Sequence, residues 1–509
     1  MEKSRTRKSI TNTAVAFVSQ LVIILLGFIS RRVLIYSVGV QYLGINGLMS
    51  NILTIFSLAE SGIGLAIGYS LYKPLAQKDV ETVKALMRFY RTVYRVLALM
   101  TLVVGLLFYP FLPIFLKDNS APDANIIYFM FLASSVCSYL WSYKITLNSS
   151  DQNKYLYTIA NTITQIAVLI AKVVILYFTQ NYIIYLSVEL GSTLIKNLVF
   201  SFILDKRYPF LKEKNVRKLS DDEKGELSKN IKSLFWGKFG YIASQCSDNL
   251  VISSIISVTT LGLYSNYTTI VSAVSGFVTT FTSGVTASMG NLIASESRQR
   301  AYEVYKRIDF INYWLYTVTA ICLLCLTEPF IEIWIGQDYI LPKEVLIVSV
   351  LLFYLRGINS GIDVAKNASG LYYPDRFIPL IEALLNLVIS IILAHRVGLF
   401  GVLLGTLISF LVLSFWTKPY FVFRDVFEVN FIEYLKWIGY KVSISVAIGA
   451  ILYMIQSMVS LENKYIELLL RALITAFASN LLLCAVFFKT SEFEYIKSMI
   501  KLLVMRLKK

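Results

Sequence analysis

Positively charged side chains inside strongly apolar stretches are the residues of this 509-residue chain that most directly imply chemistry. At the centre of a bilayer such a side chain costs about 2.5–3.5 kcal/mol, so a deep one is expected to face a cavity or a partner. Arg95, Lys238 and Arg471 lie close enough to a predicted helix end to snorkel to the membrane surface. The basic residues assigned to helices are Arg31, Arg32, Arg95, Lys172, Lys196, Lys238, Arg356 and Arg471, whereas others near span ends, Lys441 among them, are counted with the inner connections.

Cationic side chains that line a dry lumen suit an anionic cargo. The planar fork of arginine matches phosphate in particular, because it can donate two parallel hydrogen bonds. The pattern therefore favours a phosphate, a carboxylate or an acidic sugar, and it selects weakly among them.

The tenth predicted helix carries a polar stripe that begins at Arg356. Asn359, Ser360, Asp363 and Asn367 follow at steps of 3, 4, 7 and 11 residues, which places them on one helical face. We interpret this face as part of a lumen, where Arg356 and Asn359 contact the cargo and Asp363 takes part in ion coupling. The alternative is an internal salt bridge between Arg356 and Asp363.

The seventh predicted helix carries a similar face, formed by Lys238, Tyr241, Gln245, Asp248 and Asn249. Lys238, Gln245 and Asn249 are candidates for contact with the cargo. Asp248 is the deepest carboxylate of this helix and is therefore a candidate for ion coupling.

The first and sixth predicted helices supply further lumen candidates. Gln20, Gly27 and Arg31 share one face of the first helix, whereas Arg32 points about 100° away. Only one of the two arginines is expected to face the centre squarely. Lys196 in the sixth helix is the remaining candidate.

Glu60 interrupts the second predicted helix and has no acidic counterpart in the second half of the chain. A buried membrane carboxylate can exchange a proton, which would suit it to proton coupling. Pairing with a lumen arginine is an equally good interpretation. Glu189 and Glu382 lie nearer to helix ends and are less suited to this role.

The histidine and cysteine content argues against a metal site, a cofactor or an enzyme. His395 is the single histidine, and Cys322 and Cys325 form a CxxC within an apolar helix with no second pair beside it. These cysteines are interpreted as small core residues. We expect no metal, no cofactor and no catalytic residues.

Composition indicates that the elements carrying these residues are membrane helices. A hydrophobic content of 56% and a mean hydropathy of +0.63 exclude an ordinary soluble domain. The net charge of +16 is attributed to cytoplasmic loops rather than to nucleic-acid binding. Fourteen spans are predicted, at residues 11–38, 42–72, 90–116, 124–147, 155–178, 181–204, 233–257, 261–293, 308–335, 343–365, 376–395, 399–423, 434–457 and 465–488.

The basic residues outside the spans predict the orientation. With the N-terminus inside, the outer loops contain only Lys117, Lys343, Arg396 and Lys464. Basic residues concentrate on cytoplasmic loops, so both termini are predicted to be cytoplasmic. The first apolar segment is long and lacks a small-residue cleavage pattern, which indicates a retained helix.

An internal repeat divides the predicted helices into two lobes. With a shift of 218 or 219 residues, Leu43-Gly44 matches Leu261-Gly262 and Pro110 matches Pro329. Six helices return the chain to its starting side, so the repeat is parallel, as in transporters that rock two lobes about a central site. The shift also matches two hydroxyl stripes, Ser50, Thr54, Ser57 and Ser61 with Thr268, Ser272, Ser275 and Thr279.

The predicted organisation is that of an all-α integral membrane protein with two six-helix lobes and two additional helices. Charge and hydropathy indicate a cytoplasmic amphipathic helix in the tail. The predicted segments are an N-lobe at 1–204, a cytoplasmic loop at 205–232, a C-lobe at 233–425, two helices at 426–488 and the tail at 489–509.

Two segments resemble a known family. SRRVLIYSVGVQYLGINGLMSNILTIFSLAESGIGLAI at 30–67 is similar to the first two helices of bacterial Wzx-type polysaccharide flippases. NLVISSIISVTTLGLYSNY at 249–267 resembles their seventh helix. These flippases belong to the multidrug/oligosaccharidyl-lipid/polysaccharide exporter (MOP) superfamily, and the resemblance covers essentially the whole chain.

The resemblance implies an exporter that moves an undecaprenyl-diphosphate-linked oligosaccharide from the inner to the outer leaflet of the bacterial cytoplasmic membrane. It further implies alternating access, with the bilayer and the lipid-linked substrate as partners and a polysaccharide polymerase and glycosyltransferases acting in the same pathway. Related peptidoglycan-precursor flippases have essential arginines in helix 1, where Arg31 or Arg32 is the matching position. The match is by helix and depth.

Two other functions remain open from the sequence. A multidrug or cation exporter of the same superfamily would favour an acidic, aromatic pocket, whereas the helix-borne charges here are mainly basic. A membrane polysaccharide polymerase or glycosyltransferase would need acid/base residues on a long surface loop, and the predicted outer connections are short.

Overall fold

The computed structural model describes residues 2–56, 70–117, 123–151, 154–213, 246–283, 296–371 and 374–495, with isolated positions between these ranges. Within these ranges the chain is helical and contains no strand. Ten helical segments of the described residues are long and apolar enough to cross a membrane. The all-α prediction is thereby confirmed.

The chain divides into two compact units, Met1–Gly262 and Leu263–Lys509. The lobe boundaries predicted from the repeat stay a prediction. Helices of the first unit are α1 (Glu2–Val38), α2 (Gln41–Phe56), α3 (Val80–Phe108), α4 (Ala124–Ser150), α5 (Lys154–Thr179), α6 (Tyr182–Arg207) and α7 (Cys246–Ile256). The boundary falls within α8 (Val258–Ser283).

The second unit contains the remaining helices, and several of them are broken. Its helices are α9 (Arg298–Trp334), α10 (Lys343–Ile358), α11 (Ser360–Ser369), α12 (Ile378–Val412), α13 (Ser414–Phe421), α14 (Phe431–Ser457) and α15 (Lys464–Phe487). α10 and α11 belong to one span, Lys343–Ser369. α12 and α13 lie in another continuous helical segment, Ile378–Phe427, where the sequence predicted two spans.

The two spans predicted at 376–395 and 399–423 meet at a corner inside α12. Val397 and Gly398 leave helical geometry there, and Gly398 has a φ of +61°, which glycine adopts without a Cβ penalty. Beyond the corner the chain packs against its own preceding part, since Ser390 Oγ donates to Val402 O at 3.1 Å. The two spans are thus two helical arms.

Side-chain caps mark several helix starts. Asn181 Oδ1 accepts hydrogen bonds from the backbone of Ile183 and Ile184 at the start of α6. Asp79 caps α3 by accepting from Thr82 N at 3.0 Å and Thr82 Oγ1 at 2.6 Å, which lowers the pKa of the Asp79 carboxyl. Such caps satisfy backbone donors that have no partner within the helix.

The two glycines matched by the repeat, Gly44 and Gly262, each pack closely against a backbone carbonyl at or just before the start of the other glycine's helix. Both contacts lie within the first unit. A Cβ on Gly44 would lie 1.9 Å from Val258 O, and a Cβ on Gly262 would lie 2.3 Å from Val40 O. Val40 and Val258, like the two glycines, are 218 positions apart. Reciprocal contacts of this kind are characteristic of two-fold related elements, so they support the repeat.

We expect Gly44→Ala to destabilise the protein by about 1–3 kcal/mol, because the added methyl overlaps a backbone carbonyl that cannot rotate away. Gly47 lies one turn further along α2, and a Cβ added there would have no heavy atom within 4 Å. Gly47→Ala is therefore the matched control and should stabilise slightly through helix propensity. Thermal unfolding in detergent measures both, and equal melting temperatures would contradict the close contact.

Candidate functional site

The polar stripe of the second unit surrounds a helix break at Asn359, between α10 and α11. The sequence predicted one unbroken helix there. Asn312 of α9 stabilises the break, since its Nδ2 donates to Gly357 O at 2.8 Å and its Oδ1 accepts from Ser360 Oγ at 2.9 Å. A discontinuous helix inside a membrane is tolerated where other side chains satisfy the freed backbone groups.

The residues of the predicted stripe on either side of Asn359 have different partners. Asn359 is buried, and its Oδ1 accepts from Tyr434 Oη of α14 at 2.8 Å, while its Nδ2 has no hydrogen-bond partner among the described residues. Asp363 pairs with Lys418 at 3.0 Å and is partly exposed. Arg356 has its guanidinium 5.7 Å from the centre of the Phe410 ring.

The proposed alternative of an Arg356–Asp363 salt bridge is wrong. Lys418 of α13 takes Asp363 as its partner, and no described carboxylate forms an ion pair with Arg356. The two residues are seven positions apart, and a single residue, Asn359, lies between the two helices that carry them. Arg356 remains a candidate for contact with an anion.

A buried ion pair between Asp309 of α9 and Lys441 of α14 escaped the sequence analysis, which assigned Lys441 to the inner connections. Lys441 is 1% exposed and Asp309 6%. Trp437 Nε1 also donates to Asp309 Oδ2 at 3.4 Å, and Lys441 Nζ lies 4.6 Å from the centre of the Trp437 ring. The spacing of Tyr434, Trp437 and Lys441 on one face was the signal that could have revealed this cluster.

Arg31 and Arg32, the adjacent arginines of α1, differ in how far they are buried. Arg31 is partly buried, whereas Arg32 is exposed and has its guanidinium 5.7 Å from the centre of the Tyr36 ring. The two side chains therefore lie on different faces of α1, in keeping with their predicted angular separation.

The two lysines of α5 and α6 have different partners. Lys172 pairs with Glu189 at 2.6 Å and lies 4.2 Å from the centre of the Tyr185 ring, so both charges are used internally. Lys196 instead donates to the neutral Asn161 amide at 2.7 Å. It borders an apolar groove of about 470 Å³ between the two helices.

Several predicted site residues cannot be placed. Glu60, Lys238 and Gln245 lie outside the described residues, as do Ser57 and Ser61 of the first hydroxyl stripe. Asp248 and Asn249 lie in α7 and are partly buried. The site assignments as a group stay predictions.

The threonine hydroxyls of the two stripes, at Thr54, Thr268 and Thr279, bond to their own helices. Thr54 Oγ1 donates to Ser50 O at 2.7 Å, and Thr279 Oγ1 donates to Ser275 O at 2.9 Å. Such bonds satisfy the hydroxyl without a partner from another helix.

Charge pairing leaves some cations and some carboxylates of the described spans without a described partner of opposite sign. Glu189, Asp309, Asp363 and Glu467 each pair with a basic residue, namely Lys172, Lys441, Lys418 and Arg471. Arg32, Lys196 and Arg356 have no carboxylate partner among the described residues. Glu328 and Glu382 likewise form no ion pair with a described basic residue. Charges of both signs therefore remain unneutralised, and Arg32, Lys196 and Arg356 are the ones that suit an anion.

The described residues contain no group of three or more His, Cys, Asp or Glu side chains that could hold a metal ion. Cys322 and Cys325 both lie in α9, with Cys325 buried. Ion pairs and aromatic contacts thus dominate the chemistry of the described spans.

The fold is similar to that of several solved membrane transporters. No family model and no curated protein matches the chain. An inward-facing multidrug resistance MATE family transporter of the MOP superfamily superposes with a TM-score of 0.58 at 11% identity, covering 78% of this chain and 94% of its own. The MATE multidrug transporter DinF-BH gives a TM-score of 0.56 at 16% identity, covering 82% of this chain and 95% of its own.

A flippase is also among the structures with this fold. The lipid II flippase MurJ in an inward closed conformation has a TM-score of 0.68 at 16% identity, covering 94% of this chain and 99% of its own. Such identities establish the fold alone. With the ten apolar helices, they identify a multi-pass membrane protein with a transporter fold.

Proposed function

We propose that this protein is a flippase that moves an undecaprenyl-diphosphate-linked oligosaccharide from the inner to the outer leaflet by alternating access. The observation that carries the proposal is that Arg32, Lys196 and Arg356 lie in the described spans without a described carboxylate partner, whereas Glu189, Asp309 and Asp363 are each paired with a lysine. Lysine and arginine in such positions suit a diphosphate that must cross the membrane.

The extent of the structural similarity supports a lipid-linked cargo. The similarity to the lipid II flippase covers 94% of the chain, so the uncovered remainder is too short to contain both α14 and α15. The two multidrug transporters cover 78% and 82%. At least part of these two helices thus belongs to the part of the fold shared with a flippase of lipid-linked precursors.

The candidate diphosphate contacts are Arg31 or Arg32 in α1 and Arg356 in α10. Lys196, Lys238, Gln245, Asn249 and Asn359 are the further candidates for phosphate and sugar hydroxyls. The environment proposed for this transport is a bacterial cytoplasmic membrane, with both termini on the cytoplasmic side. A polymerase and glycosyltransferases would act on the same substrate, and the transporter itself would need no cofactor.

Ion coupling is assigned to Glu60, Asp248 and Asp363, of which Asp363 already pairs with Lys418. We expect Glu60→Gln and Asp248→Asn to flatten the pH dependence of transport, because an amide cannot take up a proton. Initial transport rates over a pH series measure this effect. An unchanged pH profile in both variants would remove protonation of these residues from the proposal.

The second candidate function is export of a drug or cation, which the similarity to the MATE transporters favours. It requires an acidic group available to a cation. Glu189, Asp309, Asp363 and Glu467 are paired with basic residues. Glu328 and Glu382 have no basic partner among the described residues and are the carboxylates that such a cargo would need.

Deletion of the gene tests the proposal in cells. We expect lipid-linked repeat units to accumulate at the cytoplasmic leaflet of the deletion strain and to reach the outer leaflet again on complementation. Normal outer-leaflet delivery in the deletion strain would contradict the flippase proposal. Restored resistance to a cationic drug without restored delivery would favour the second candidate.

A further inference from the structure

A cavity of about 570 Å³ lies at the end of the first unit where α3 begins and α4 and α6 end. The short 3₁₀ turn Pro209–Lys212 completes its wall. This volume is within the range of small-molecule sites. On the predicted orientation the cavity opens at the cytoplasmic surface, and none of the candidate residues for the transported cargo lines it.

The cavity wall is strongly basic. Lys84, Arg88, Arg91, Lys144 and Lys212 line it, against the two carboxylates Asp205 and Glu213. A concave, basic surface focuses the electrostatic field and attracts anions.

Two of the five cations have no hydrogen-bond or ion-pair partner in the part of the chain that the structure describes. Lys84 pairs with Glu213 at 2.7 Å, and Lys144 pairs with Asp205 at 2.7 Å. Arg91 and Lys212 form no such contact with the described residues, and both are exposed. These two cations are therefore available to a ligand.

Arg88 adds a directional donor beside them. One of its amino groups, Nη1, donates to Val216 O at 2.9 Å, which leaves the other donors of the guanidinium for a ligand. Arg88 and Arg91 are three positions apart on α3, so they share a face. Two guanidinium forks on one face match the several oxygens of a phosphate or diphosphate.

We propose that this cavity binds a phosphate-bearing anion, held by Arg88, Arg91 and Lys212, at a site separate from the transported cargo. Basic pockets between membrane helices at the cytoplasmic surface bind phosphate headgroups of lipids, and a soluble diphosphate presents the same chemistry. Glu213 is a competing internal anion. It is about half exposed, at 49%, so it can leave Lys84 when a ligand enters.

Titration of the purified full-length protein with inorganic pyrophosphate tests the soluble ligand by calorimetry. In a second arm, the protein is placed in nanodiscs with and without phosphatidylglycerol, and retained lipid is measured by native mass spectrometry. We expect an Arg88→Gln/Arg91→Gln variant to lose about tenfold or more in affinity for whichever ligand binds, because charge-assisted hydrogen bonds are lost. Glu213→Gln should bind more tightly, because a competing carboxylate is removed.

The matched control is Lys206→Gln/Arg207→Gln, which removes the same charge from exposed residues at the end of α6 that do not line the cavity. Retained affinity in the control, with loss in the cavity variant, supports the site, and the arm that shows binding identifies a soluble or lipid source. Equal losses in both double variants would show unspecific attraction and overturn the proposal. Absence of binding in both arms would overturn it as well, as would weaker binding by Glu213→Gln.

Discussion

Lys441→Met is expected to lower the free energy of unfolding by about 3–5 kcal/mol, because it leaves the Asp309 carboxylate buried without its cation. Both partners are almost fully buried, at 1% and 6% exposure. The remaining donor to Asp309 Oδ2 is Trp437 Nε1 at 3.4 Å, a neutral group that cannot replace an ammonium. Removal of one partner of a buried pair is costly even where the pair itself contributes little.

A double variant separates the cost of an unpaired charge from other effects of the substitution. Asp309→Leu/Lys441→Met removes both charges and is expected to recover most of the stability lost in Lys441→Met. Lys436→Met is the matched control on the exposed face of the same helix and should leave stability unchanged. Thermal unfolding in detergent measures all three, and additive losses in the double variant would contradict a coupled ion pair.

Arg31→Ala and Arg356→Ala are each expected to reduce export by about tenfold or more while the protein stays in the membrane. A hydrogen bond to a charged group is worth about 1.5–3 kcal/mol, and a factor of ten corresponds to about 1.4 kcal/mol. Arg356 has an aromatic contact with Phe410 and no described carboxylate partner, so its loss should affect a cargo more than the fold. Outer-leaflet delivery, corrected for the amount of protein in the membrane, measures the effect.

Two further variants make this test specific. Arg95→Ala removes an exposed arginine that lies near the start of the predicted span 90–116 and should leave export unchanged, since that residue is expected to reach the membrane surface. Arg356→Lys should retain part of the activity, because the charge stays while the two-pronged geometry is lost. Full export by both alanine variants would exclude Arg31 and Arg356 from the site.

The membrane helices were predictable from sequence because hydropathy and loop charge are local properties. The corner between the spans at 376–395 and 399–423 was also locally encoded, since Gly398 permits the positive φ that the turn needs. The break at Asn359 has no such signal. It depends on Asn312, 45 positions before Gly357, which satisfies a carbonyl that an unbroken helix would have used.

The candidate site was predictable only as far as helical faces. Periodicity placed Arg356 and Asp363 on one face, but it could not show that Lys418, 55 positions from Asp363, is the nearer cation. The Asp309–Lys441 pair joins residues 132 positions apart, and helical spacing would instead have matched Asp309 with Lys306, three positions before it. Partner choice among buried charges is a tertiary property, so it required the structure.

The most direct test of the flippase proposal is transport by the purified protein in vesicles that contain undecaprenyl-diphosphate-linked oligosaccharide in both leaflets. A sugar-modifying enzyme that cannot cross the membrane is added outside, so that only substrate in the outer leaflet reacts. The account predicts that the protein makes the inner-leaflet pool reactive as well, and that Arg356→Ala slows this conversion. The account would be contradicted if only the outer-leaflet pool reacted. Transport of a cationic dye in the same vesicles would show that the protein was active in that experiment.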